Sequence, residues 1–184
     1  MAALVVGALA SIGDKPAWLA AILADRFRAP GLVIAAALLA LLAAGGLAAA
    51  AGALIGPRLT PEARLLMLAL SLLLQGGGAL GRVKPPERLD GWRIGAFVTA
   101  LLGLFILAFG DGIQFVVATL AARTPLPWLA AVGGALGCLV PVSTAAILGE
   151  RDWLALPLHR ARLAIAALFL LAGTVLALQA LGLV

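Results

Sequence analysis

Two short stretches of the chain could carry chemistry. Ser11-Ile12-Gly13-Asp14-Lys15-Pro16 places a carboxylate and an ammonium inside an apolar segment that begins at residue 2, and Ala108-Phe109-Gly110-Asp111-Gly112 places a second carboxylate inside another. An ionisable side chain at membrane depth is costly and marks a functional site by default. Positions three and four apart share a helix face, so Ser11, Asp14 and Lys15 are expected on one side of the first segment, and Asp111 and Gln114 on one side of the other. Brought together, two carboxylates with hydroxyl, amide and freed carbonyl oxygens form a hard-oxygen site of the kind that takes calcium, magnesium or manganese. Close carboxylates also hold a shared proton, so proton and metal compete for the same oxygens, which is the physical basis of exchange. The candidate cation and proton ligands are Asp14, Asp111, Gln114 and Ser11, the two aspartates being the metal ligands. Lys15 is a modulator, and Gly13, Pro16, Gly110 and Gly112 are hinges. The structural alternative is that Asp14 pairs with Lys15 or caps a broken helix, that Asp111 does the same beside Gly112, and that Ser11 and Gln114 only bond within the bundle.

The elements that position these residues read as membrane helices. Of 184 residues, 64% are hydrophobic and 11% charged, whereas a soluble domain is about half apolar and about a quarter charged. Apolar runs recur at bilayer-spanning length, and their Ala/Leu blocks lack the alternation of a membrane barrel. The fold class is therefore an all-helical polytopic membrane protein with six transmembrane helices, over residues 2–26, 31–55, 61–80, 94–122, 128–148 and 161–184. Pro16 removes a backbone donor within the first span, so a kink or break is expected near Ile12-Gly13. The fourth span is long, so tilt or a local break at Gly110-Asp111-Gly112 is expected. Thr60 is an N-cap with Pro61 at the first helical position. The Ala/Gly-rich second span packs inside the bundle through small residues. Trp92, Trp128 and Trp153 fall at span ends, where indole suits the membrane interface. Ala8-Leu9-Ala10 resembles a signal-cleavage site but follows no basic segment, so cleavage there is not expected.

The halves repeat. A shift of 97 positions aligns Gly13-Asp14 with Gly110-Asp111, Arg26 with Arg123 and Pro30 with Pro127, and a shift of 98 aligns Ala63-Arg64-Leu65 with Ala161-Arg162-Leu163. Residues 1–81 form one three-helix repeat, 82–93 a polar loop and 94–184 a second repeat. Three spans per half make the repeats inverted, an arrangement that places a transporter's site near the midplane between them. Loops after spans one, three and five carry nine Lys and Arg, counting Arg162, against three after spans two and four. The richer side is expected to be cytoplasmic, with both termini outside. Low Lys beside abundant Ala, Leu, Gly and Arg points to a GC-rich bacterium and its inner membrane.

The remaining candidates are weaker. Cys138 reads as a packed thiol and His159 as a solvated loop residue. Ser143 and Thr144 read as packing residues, and Gln75 and Gln179 as span-end residues. No nucleophile–base–acid set or cofactor loop appears, so neither an enzyme nor a cofactor is expected. Partners are the lipid bilayer, a divalent cation and protons, not nucleic acid; the small-residue helices leave room for a homo-oligomer.

The two stretches resemble the motif of the Gdt family (Gcr-dependent translation factor family), membrane exchangers of manganese or calcium for protons whose pattern E-x-G-D-K-T/S, commonly followed by Q, occurs once per half. Here the copies read Ser11-Ile12-Gly13-Asp14-Lys15-Pro16 and Ala108-Phe109-Gly110-Asp111-Gly112-Ile113-Gln114. The motif glutamate is Ser11 in one copy and Ala108 in the other, the lysine survives only as Lys15, and the hydroxyl residue is Pro16 or Ile113. The resemblance implies that Asp14 and Asp111 ligate the cation, with Gln114 in support, at a site reduced from four carboxylates to two. The expected function is export of a divalent cation, manganese or calcium, in exchange for protons by alternating access. The alternatives are a LysE-type exporter of amino acids or another small solute, and a non-transporting membrane protein that acts through a partner.

Overall fold

The computed structural model describes residues 1–183 and is built of helices. Val184, the last residue of the expected sixth span and second repeat, lies outside the described residues. In chain order the helices are α1 (Ala2–Ala10), α2 (Lys15–Phe27), α3 (Pro30–Ile55), α4 (Pro61–Leu80), α5 (Ala96–Phe109), α6 (Ile113–Ala121), α7 (Pro127–Ala155) and α8 (Leu158–Ala180), with a 3₁₀ turn at Gly56–Arg58 between α3 and α4. Four of them, α3 (with its 3₁₀ turn), α4, α7 and α8, are long and apolar enough to cross a membrane alone. The pairs α1/α2 and α5/α6 pass the same test together, each bent, by 65° and 71°. The protein is thus an all-helical, multi-pass membrane protein with six spans when each bent pair counts as one.

Both breaks fall at the Gly-Asp stretches. In the first, Gly13 takes φ +69°, a conformation that glycine adopts at little cost. Asp14 is extended (φ −92°, ψ 168°) and starts α2, with Pro16 in its first turn. Pro16 therefore opens a new helix instead of kinking an old one, and Ser11 and Asp14 do not share a helix face as the sequence spacing predicts. In the second break, Gly110 (φ −84°) and Gly112 (φ −58°) are not in glycine-only conformations. A Cβ on Gly112 would meet the Gln75 side-chain oxygen, so Gln75 would have to shift to admit one.

Helices α3 and α7 form the centre and pack on one another, as do α4 and α8. Around them α1 and α2 lie on α7, while α5 and α6 lie on α3. Small residues set these crossings. A Cβ on Gly52 of α3 would run into the Ala118 carbonyl of α6, and one on Gly137 of α7 into the Leu4 carbonyl of α1. The expected internal packing of the Ala/Gly-rich span is therefore present. Large apolar side chains such as Leu54, Leu74, Phe115, Ile147 and Leu171 point outward, as a lipid-facing surface requires. Thr60 caps α4 by accepting a hydrogen bond from the Ala63 amide at 3.2 Å, as expected.

Other details depart from the sequence reading. The helix of the fifth span continues through residues 150–155, which were expected to be loop, after a break at Gly149 (φ 80°). Asp25 bridges this break, accepting from the Glu150 amide at 2.7 Å. Trp153 is buried in the core and not at an interface, whereas Trp128 is exposed. Loop residues 82–95 are held against the bundle by Arg26, which donates to the carbonyls of Arg88, Leu89, Asp90 and Trp92. Leu89 packs into the space left by Gly103 of α5.

Candidate functional site

The two breaks meet. Asp14, Lys15, Pro16, Ile106, Leu107, Gly110 and Asp111 line one cavity of about 250 Å³. The two carboxyl groups are close enough for each to feel the other's charge. Asp111 directly precedes the Gly112 and Ile113 amides at the start of α6. A broken helix presents unbonded amides at the start of its second half, so both aspartates sit where the backbone favours a negative charge. A second cavity of about 390 Å³ shares Lys15, Ile106 and Leu107 with the first and is walled by Pro85, Pro86, Glu87, Leu89 and Trp92 of the central loop. The loop that Arg26 holds thus walls a cavity adjoining the one that the aspartates line.

The ion-pair partner of Asp14 is Arg162 of α8, not Lys15. Arg162 Nη1 lies 3.3 Å from Asp14 Oδ1 and donates to the Gly13 carbonyl at 3.2 Å, while Nη2 donates to the Gly78 carbonyl at 3.4 Å. Lys15 bonds Asp14 through its backbone amide, at 3.0 Å. The sequence reading counted Arg162 among loop charges; the structure buries it, 8% exposed. It also lines a cavity of about 370 Å³ with Gly13, Trp18, Arg82, Trp153 and His159. Arg162 therefore stands between that vestibule and Asp14.

The other expected ligands are placed less centrally. Ser11 is buried at the end of α1, beside the Cys138 thiol of α7. Gln114 does not join the aspartates; it lines a separate, mostly apolar cavity with Leu47, Phe109 and Phe115, and its buried Oε1 has no hydrogen-bond partner among the described residues. Conversely, Gln75 of α4, which the sequence presented as a span-end residue, is buried against Gly112 at the second break. Cys138 lies within electrostatic reach of both aspartates, which spacing gave no means of seeing. Among the described residues, no three or more His, Cys, Asp or Glu gather into a metal-binding group, so the acidic part of the site is the aspartate pair. Ser143 and Thr144 donate to the Val140 carbonyl at 2.9 and 2.8 Å and stay out of the cavity.

Comparison with known proteins follows this geometry. The family model described as "Divalent cation/proton antiporter GDT1" matches residues 1–84 and 96–183, which between them hold both breaks. A protein of Vibrio cholerae serotype O1, named "Putative manganese exporter", is 35% identical over 170 residues, covering 89% of this chain and 82% of that one. No solved structure matches.

Proposed function

The chain belongs to the family of divalent cation/proton antiporters, and from that premise we propose that it exports manganese in exchange for protons through a site shared by Asp14 and Asp111. The observation that carries the reading is that two helix breaks, 97 residues apart in the sequence, bring the two membrane-depth carboxylates to one small cavity. A dication replaces the proton that close carboxylates otherwise share. Oxygen donors suit manganese, magnesium and calcium alike; the name of the Vibrio relative is what favours manganese. The family's activity is exchange across a membrane, not enzymatic turnover, and family membership does not favour amino-acid export.

The proposed topology is a pair of inverted repeats, residues 1–81 and 94–184, joined by the loop 82–93. Its support is the equivalence of the packing: what α1 and α2 do on α7, α5 and α6 do on α3. With Arg162 removed from the loop count, eight basic residues still flank the loop-82–93 side against three on the other. That excess favours a cytoplasmic central loop and external termini in a bacterial inner membrane.

The test is manganese uptake into inside-out vesicles energised by an interior-acid pH gradient, with calcium and magnesium as competitors. Uptake that collapses with the gradient, and that calcium blocks less well than unlabelled manganese, is the expected result. Gradient-dependent uptake of calcium alone would reassign the substrate.

A further inference from the structure

We propose that Arg162 is a tethered cation that occupies Asp14 when no dication is bound, and that the transported cation must displace it. The proposal rests on the reading of Asp14 and Asp111 as the exchange site.

Three observations carry it. First, Arg162 and an arriving dication need the same oxygen-bearing group. The guanidinium reaches Asp14 Oδ1 from α8, at 3.3 Å, and Asp14 is also the carboxylate that lines the cavity shared with Asp111. A dication bound there would sit beside a permanent positive charge, since arginine does not deprotonate in proteins.

Second, Arg162 is held loosely for a buried arginine. Its three bonds measure 3.2, 3.3 and 3.4 Å, beyond the roughly 2.7–2.9 Å of a strong charge-assisted bond. Its Nε is buried with no partner among the described residues. A side chain built only to brace α8 against the first break would be expected to satisfy its donors.

Third, there is somewhere for it to go. Arg162 already lines the vestibule of about 370 Å³. Trp18 and Trp153 are among the residues that line it, and indole is a side chain that suits a guanidinium. Arg82 and His159 are the other basic groups lining that space, so the vestibule is a holding place from which Arg162 returns once the cation leaves, not a deep trap.

The experiment titrates Mn2+ into the purified full chain in detergent and follows loss of the free-ion electron paramagnetic resonance signal, for wild type, Arg162→Gln, Arg162→Lys and Asp14→Asn. Removing the competitor lowers the Kd of Arg162→Gln about tenfold, the effect of roughly 1.4 kcal/mol. Arg162→Lys, which keeps a charge but loses the fork, falls between it and wild type. A purely structural Arg162 gives the opposite sign, weaker binding in Arg162→Gln. Equal or weaker binding in that variant, with wild type binding and Asp14→Asn not, overturns the tethered-cation role and leaves the site reading standing. Binding by Asp14→Asn equal to wild type overturns the site reading itself, as does failure of both wild type and Arg162→Gln to bind although monodisperse and cooperatively melting. If Arg162→Gln does not fold, Arg162→Lys decides alone: binding no tighter than wild type overturns the proposal.

Discussion

Gly137→Ala in α7 is a perturbation whose size follows from the packing. A Cβ on Gly137 would overlap the Leu4 carbonyl oxygen and lie 2.9 Å from both the Leu4 carbonyl carbon and the Ala8 nitrogen. Ordinary contact between such atoms is about 3.5 Å or more, so α1 must move off α7 by at least roughly 0.6 Å. The obstructing atoms are backbone and cannot swing aside, which puts the overpacking cost near the upper end of the usual range, about 3 kcal/mol. Alanine regains about 1 kcal/mol of helix propensity over glycine, leaving a loss of about 2 kcal/mol. Gly77→Ala in α4 is the matched control. It meets nothing within 4 Å, so only the propensity gain of up to about 1 kcal/mol remains. In thermal unfolding of the purified protein, Gly137→Ala should melt roughly 4–8 °C below wild type and Gly77→Ala at or above it. Because α1 leads directly into the Ser11–Asp14 break, Gly137→Ala should also slow exchange while Gly77→Ala does not. Equal melting temperatures for the two variants would refute the claim that the glycines of α7 set the α1 contact.

Two further outcomes are expected. Ser71 of α4 and Thr119 of α6 are buried with their hydroxyl oxygens 3.3 Å apart, and each has an alternative acceptor in its own helix, the Leu68 and Val116 carbonyls; since each hydroxyl has one proton to give, a double-mutant cycle to alanine should give a coupling of only about 0.6 kcal/mol in thermal or denaturant unfolding, typical of such pairs in membrane bundles. Arg26→Ala removes the guanidinium that gathers four loop carbonyls, so limited proteolysis should cut within residues 82–95 at least about tenfold faster, the effect of about 1.4 kcal/mol on local opening.

The legible part of the site was the part whose cost shows in a single segment. Asp14 and Asp111 stand out because, Lys15 apart, nothing else ionisable interrupts their apolar runs, and Pro16 and the glycines mark where each helix breaks. Arg162 was hidden by its neighbours: lying two residues after Arg160 and close to Pro157, it reads as the last charge of a loop. Its signal was periodicity. Arg162, Ile165, Ala166, Phe169 and Gly173 are the buried residues of α8, a single 3.6-period stripe on which an arginine is out of place. Gln75 has the same history, sharing the buried stripe of α4 with Leu68, Leu72 and Ala79. Gln114 went the other way, because the break at residues 110–112 reorients α6, and a helix-face argument drawn across a break does not hold. Trp153 was misplaced for a related reason: the Gly149 break turns the end of α7 inward.

The most direct test of the account is manganese-driven proton flux in proteoliposomes, comparing wild type with Asp14→Asn and Asp111→Asn. Both substitutions keep side-chain volume and leave the breaks in place, while each removes one of the two carboxylates lining the shared cavity. The account predicts manganese-dependent proton movement in wild type and none above the protein-free background in either variant. Full flux retained by either variant, from protein that melts as wild type does, would contradict a site made of the two aspartates together.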